Sequence, residues 1–213
     1  MQAGEATILF EDAALVVCVK PRGVLAAADV SGKRSMADLL APRTVYPVHR
    51  LDRDTLGLMV FAKTSAAAAA LSAELDGGFC KEYLALCETP PVPASGELND
   101  LLYHDRVRNK TYVVARKRNG VRPAQLTYRV LDGSLVLVRL HTGRTHQIRV
   151  QFASRGWPLC GDRKYGAKIG GELALWAYRL SFRHPDGREL AFTLTENFLP
   201  AGFSACKIGE TAL

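Results

Sequence analysis

Short apolar runs alternate with turn-forming and charged residues along the whole chain, a rhythm that predicts many short strands and few helices. Ile8-Leu9-Phe10 and the β-branched run Leu15 to Val19 flank Asp12-Ala13-Ala14 and read as a hairpin. Lys20-Pro21-Arg22-Gly23 stops it, because proline removes a ladder donor and glycine permits a tight turn. Ser35 to Leu40 is expected to form a short helix. Gly57 to Ala62 is apolar nearly throughout and ends at Lys63, which suits a strand covered on both faces. The alanine-rich stretch from Ser65 to Leu75 predicts a helix with Ser65 as N-cap, Leu71 and Leu75 on one face and Gly77-Gly78 as the stop.

Lys81 to Cys87 predicts a strand with Tyr83 and Ala85 on one face and Leu84 and Leu86 on the other. Pro90, Pro91, Pro93 and Gly96 mark a loop, read as an excursion within one domain because strands of similar composition continue after it. Gln125 to Val130 and Leu135 to Leu140 flank the turn Asp132-Gly133-Ser134 as a strand pair. The second strand of that pair runs into a helix capped by Thr145, with Ile148 and Phe152 on one face and Gly156 at its end. The turn-rich loop Gly161 to Gly166, an apolar strand from Leu173 to Phe182, the turn His184 to Arg188 and an edge strand from Glu189 to Leu194 complete the chain. The pattern predicts an α+β fold with a mixed, mainly antiparallel sheet and flanking helices and loops. The 213 residues read as a single domain with a core from about residue 8 to residue 194.

Charge sharpens this picture. Lys and Arg number 28 against 21 Asp and Glu, a net charge of +7, and much of the excess sits in one place. From His104 to Arg122 the charged residues are Arg106, Arg108, Lys110, Arg116, Lys117, Arg118 and Arg122 against Asp105 alone, interleaved with Tyr112-Val113-Val114. This predicts a hairpin with basic ends, suited to contacting phosphates. A solvated basic hairpin without a partner is the plainer alternative. The five cysteines, Cys18, Cys80, Cys87, Cys160 and Cys206, form no C-x-x-C pair, which argues against a zinc site or a disulfide framework and suits a reducing cytoplasm. Cys18 reads as a small buried hydrophobe. Neither a signal peptide nor a membrane span is expected from the pattern.

Candidate chemistry begins with His49-Arg50-Leu51-Asp52-Arg53-Asp54-Thr55, where a carboxylate lies between two arginines. Only an ionised carboxylate can attack an electrophilic carbon, and neighbouring guanidinium groups favour that form while gripping a polyanion. Alone, such a string is most often a solvated loop with balanced charges. A magnesium pair on Asp52 and Asp54, as in a nuclease or phosphotransferase, fits poorly beside the arginines. A second candidate is the strand-to-helix junction His141 to Arg149, where Arg144, His146 and Gln147 are donors and helix N-terminal amides could receive an anion. His141 and His146 could equally be structural.

These segments, taken together, resemble the RluA family of RNA pseudouridine synthases. The resemblance rests on His49-Arg50-Leu51-Asp52 followed by Thr55-Leu56-Gly57-Leu58, on Lys20-Pro21-x-Gly23 and on Lys81-x-Tyr83-x-Ala85. It extends through Thr142-Gly143-Arg144-Thr145-His146-Gln147-Ile148-Arg149 and Gly161-Asp162-x-x-Tyr165-Gly166. It implies that Asp52 opens the isomerisation of uridine, that Arg50 enters the RNA stack where the base leaves, and that Tyr83 stacks on the flipped uracil and serves in proton transfer. Arg149 is implied to pair with Asp52. His49, Arg50, Arg144, His146, Arg106, Arg108 and Lys110 are expected to bind substrate. Asp52 could attack ribose carbon 1, act as base in an elimination or add to the uracil ring. The reaction involves no oxidation or net hydrolysis, so neither cofactor nor metal is expected.

The implied partner is structured RNA, ribosomal or transfer, with no membrane or DNA partner and a monomeric enzyme in the cytoplasm. A catalytically inactive RNA-binding protein on the same scaffold is the alternative. Leu56 stands where the family has serine. The chain is also expected to lack the separate N-terminal RNA-binding module of many relatives, leaving target recognition to the catalytic domain and its basic segment.

Overall fold

The computed structural model describes residues 5–75 and 77–200, so Cys206 lies outside the described residues. Two compact units emerge: residues up to 81 together with 176–200, and residues 82–175.

In the first unit, β1 (Thr7–Glu11) and β2 (Leu15–Lys20) form the expected antiparallel hairpin, with a register shift between Ile8 and Phe10. The side chain of Asp12 accepts from Ala14 N–H at 2.8 Å and Leu15 N–H at 3.0 Å, which closes the turn. β2 is buried along its whole length and pairs antiparallel with β4 (Leu56–Ala62), which is also buried from Gly57 onward. The other edge of β4 is shared. β10 (Leu175–Arg183) runs parallel to it at Leu56 and Gly57, and β3 (Tyr46–Pro47) runs antiparallel at Phe61 and Ala62. β11 (Glu189–Thr193) pairs with β10, as expected of a last edge strand. α1 (Met36–Leu40) has a capping box in which Asp38 receives Ser35 N–H at 2.8 Å.

Gly57 makes the parallel contact possible. Its φ is +140°, and a Cβ there would lie 2.4 Å from Ala177 O. Gly57→Ala is therefore expected to destabilise the protein by roughly 2–4 kcal/mol, measurable by urea unfolding, because both strain and overlap must be relieved.

The second unit carries strands in the order β5 (Cys80–Leu86), β9 (Leu135–Leu140), β8 (Val121–Asp132), β6 (Ser95–Asp105) and β7 (Lys110–Val114), with β5 entering the unit at Glu82. The β6–β7, β6–β8 and β8–β9 pairs are antiparallel. Tyr83, Leu84 and Ala85 are all buried, so both faces of β5 are covered. α3 (Gln147–Ala153) places Val150 against Leu102 and Ala124. The fold is α+β, with mixed and mostly antiparallel strand pairing and few helices.

Helix boundaries differ from the sequence reading. α2 spans Ser65–Ala73 and is capped by Thr64, whose hydroxyl accepts Ala67 N–H at 3.1 Å; Ser65 is already helical. Leu75 falls beyond the helix, which ends over Glu74. Thr145 does not cap α3. His146 is the N-cap at φ 54°, and the Thr145 carbonyl instead accepts from Thr111 Oγ1 at 2.8 Å.

Candidate active site

In the first unit the Asp52 loop is held from both ends. Val48, Leu51 and Thr55 are buried, while Arg50 and Arg53 are exposed and Asp52 is half-buried between them. Thr55 N–H donates to Asp52 O at 3.1 Å and closes the turn. Upstream, His49 Nε2 accepts the N–H of Val60 at 3.2 Å, which ties the loop to β4. Loss of hydration, with Lys81 repelling positive charge, takes the His49 pKa down to about 3. The ring is therefore neutral, with its proton on Nδ1, and this nitrogen pair anchors the loop.

The Lys20-Pro21-Arg22-Gly23 turn braces the loop from the other side. Lys20 is fully buried, and its Nζ donates to Pro21 O, Val24 O and Arg53 O, each at 2.8 Å. All three ammonium protons are thus used on main-chain oxygens. Gly23 N–H also reaches Arg53 O at 2.9 Å, and Arg22 Nη1 reaches Asp54 O at 2.7 Å while its guanidinium lies 5.2 Å from the Trp176 ring. Burial pulls the Lys20 pKa down to about 7, against the attraction of Asp54 and Asp52. Asp54 pairs with Arg53 at 3.0 Å on the surface, a loop-structuring contact of small energetic weight. Sequence reasoning assigned Lys20 no task. Its signals are a lysine at the end of an apolar strand and its place in Lys20-Pro21-x-Gly23, one of the motifs that carry the family resemblance.

In the second unit, Tyr83 is buried in β5 beside Glu82, which is 2% exposed in its side chain and accepts Arg139 Nη2 from β9 at 2.7 Å. Arg149, in the first turn of α3, is buried and holds Asp162 through two bonds, Nε to Oδ2 at 2.7 Å and Nη2 to Oδ1 at 2.8 Å. Its guanidinium lies 5.2 Å from the Tyr165 ring, and Lys110 Nζ lies 5.4 Å from that ring. The Tyr165 hydroxyl accepts Thr111 N–H at 2.8 Å and meets His146 Nδ1 at 2.9 Å. Lys110, His146 and Arg149, read separately from the sequence, are thus gathered around Tyr165, whose pKa burial raises.

Arg106 and Arg108 sit exposed in the β6–β7 turn, where Asp105 receives Arg108 N–H at 3.0 Å. The hairpin expected at the basic segment is present. Arg144 is exposed, and its Nε donates to Pro123 O at 3.0 Å. At the start of α3, Gln147 N–H donates to Arg144 O at 3.0 Å, so this amide is already used within the loop. Gln147 also keeps its amide inside the loop, accepting from Thr142 Oγ1 and Arg144 N–H and donating to Gln125 O.

Cys18, Cys80, Cys87 and Cys160 are free thiols, and burial pushes Cys18 and Cys87 up to about 12. Among the described residues no group of three or more His, Cys, Asp or Glu is arranged to hold a metal ion. No helix there is long and apolar enough to cross a membrane.

A fold of this kind, with an arginine-flanked aspartate on a braced loop, defines a class, and comparison with known proteins gives the same one. Residues 14–154 match the family model described as RNA pseudouridylate synthase. The chain is 36% identical over 205 residues to an uncharacterized RNA pseudouridine synthase of Bacillus subtilis, covering 88% of this chain and 67% of that protein. It is 34% identical over 211 residues to the ribosomal large subunit pseudouridine synthase D of Neisseria meningitidis, covering 85% of this chain and 55% of that protein. The chain thus spans little more than half the Neisseria protein. Two human RNA pseudouridylate synthase domain proteins share the fold, with TM-scores of 0.77 and 0.73 at 20% and 23% identity; they cover 94% and 90% of this chain, and the matches span 87% and 90% of theirs. The chain belongs to the RluA family of RNA pseudouridine synthases, isomerases that convert uridine in RNA to pseudouridine.

Proposed function

We propose that this chain isomerises one or a few uridines of structured RNA, with Asp52 as the carboxylate that starts the reaction and residues 1–213 acting as one catalytic domain. The observation that carries the reading is the bracing of the Asp52 loop: Lys20 Nζ and Gly23 N–H on Arg53 O, and Val60 N–H on His49 Nε2. A reacting group must be held to within a few tenths of an ångström, and such supporting bonds supply that precision. The chemistry breaks the bond from ribose carbon 1 to ring nitrogen 1, turns the base and rejoins it through carbon 5, whose proton is released. Attack on the ribose, elimination and ring addition all start from Asp52.

The target base has to leave its stack, at a cost of about a few kcal/mol. Arg50, exposed two residues before Asp52, is suited to fill the vacated place, and Tyr83 supplies an aromatic face for the uracil. The name of the Neisseria relative makes large-subunit ribosomal RNA the first substrate to test, with transfer RNA second. The enzyme is read as a cytoplasmic monomer that takes its phosphate contacts from the β6–β7 hairpin, with Arg144 and His146 beside them.

Incubating the purified chain with ribosomal or transfer RNA labelled with tritium at uridine carbon 5 tests the activity. Tritium release is expected from at least one RNA, and its absence from both would contradict the reading. Neutralising Arg106, Arg108 and Lys110 together is expected to weaken RNA binding and lower the slope of log affinity against log salt by about 2, measured by filter binding across a salt series. Unchanged affinity and slope would assign the hairpin to ordinary solvated surface.

A further inference from the structure

We propose that Asp162 and Tyr165 are positioning residues for Arg149, holding its guanidinium in one orientation for the isomerisation; this rests on the reading that Asp52 and Arg149 serve that reaction. The side chains of Arg149 and Asp162 are 7% and 1% exposed, and their two bonds, at 2.7 and 2.8 Å, fix both the direction and the plane of the guanidinium. Those bonds occupy Nε and Nη2.

Tyr165 packs beside the same group, with its ring centroid 5.2 Å from the guanidinium carbon. The ring is itself fixed at its far end, where the hydroxyl binds Thr111 N–H at 2.8 Å and His146 Nδ1 at 2.9 Å. Asp162 and Tyr165 come from one short turn, closed by Tyr165 N–H and Ala167 N–H on Asp162 O at 3.0 and 3.1 Å. That turn is seated firmly: at Gly161, φ +76°, a Cβ would lie 2.1 Å from Glu172 O.

A role in stability alone explains this less well. Desolvation of two charges offsets most of what a buried ion pair contributes to folding, whereas a bidentate geometry confers direction. The same ring also lies 5.4 Å from Lys110 Nζ, so one aromatic side chain organises both Arg149 and a cation of the proposed RNA surface.

The test is a double-mutant cycle read by single-turnover rate and by RNA dissociation constant. Asp162→Asn is expected to lower the rate at least about 30-fold while the dissociation constant stays within about threefold. Added to Arg149→Ala, it is expected to lower the rate by less than about threefold more, because its effect passes through Arg149. Multiplying losses, or an Asp162→Asn rate within threefold of wild type while Asp52→Asn is inactive, would overturn the positioning role alone. A fully active Asp52→Asn would overturn the underlying reading, and the proposal with it. Should Asp162→Asn fail to fold by circular dichroism, Tyr165→Leu replaces it; a rate loss of at least about fivefold that vanishes on the Arg149→Ala background supports the role, and a rate within twofold of wild type overturns it.

Discussion

Asp52→Asn is expected to lower the single-turnover rate of pseudouridine formation by at least about 10⁴-fold, with RNA affinity changed by no more than a few-fold. The substitution keeps the volume and removes the charge. The brace around the loop acts through the main chain of Arg53 and the ring of His49, so the folded loop is expected to survive it. Retained binding with lost turnover separates a reacting group from a group that only grips RNA. Substantial turnover in this variant would remove Asp52 from the mechanism, whichever of the three routes is considered.

The second large effect is expected at Lys20. Lys20→Met keeps most of the apolar stem and removes the donor shared by Pro21 O, Val24 O and Arg53 O. Of these, Arg53 O belongs to the residue after Asp52, so loosening it displaces the carboxylate. A misplacement of this scale costs on the order of 10²-fold in rate. The consequence for stability has a definite sign. Burial lowers the folded-state pKa of Lys20 to about 7, below its ordinary 10.5. Between those two values the unfolded chain holds a proton that the folded chain has released, so stability rises with pH across that window. Below it both states are protonated and above it neither is. Urea unfolding from pH 7 to 10.5 is expected to show a rise, of up to about 1.4 kcal/mol per pH unit from this group, that Lys20→Met lacks. Identical slopes in the two proteins would contradict the assignment.

Local pattern made much of the fold legible. The β1–β2 hairpin, the apolar β4, the β8–β9 pair and the basic β6–β7 hairpin follow from short-range periodicity and turn residues. β6 is less visible, because its buried leucines, Leu98 and Leu102, stand four apart with exposed Asn99 and half-buried Asp100 and Leu101 between them, and the prolines before it suggest a loop. The caps show a different limit. Thr64 and Ser65 are both competent N-caps by type, and only the backbone decides between them. At α3 the more obvious cap, Thr145, falls one residue before the N-cap, because the backbone turns at His146 with a left-handed φ of 54°.

The candidate site divides in the same manner. Asp52 stands out by its flanking arginines, whereas the roles expected of Tyr83 and Arg149 come from the family resemblance of the motifs that hold them. The bonds that support them could not be read in the same way. Lys20 gains its three acceptors only when residues 21, 24 and 53 converge, and Asp162 meets Arg149 across 13 residues and a helix end. Lys20 and Asp162 both stand in motifs of the family resemblance, but only folding shows what each one holds.

Mapping pseudouridine across the ribosomal and transfer RNA of cells that lack this protein, complemented with the wild-type chain or with Asp52→Asn, tests the central claim most directly. One or a few positions are expected to lose pseudouridine in the deletion, regain it with the wild-type chain and stay unmodified with Asp52→Asn. Identical maps in all strains, or restoration by Asp52→Asn, would contradict it.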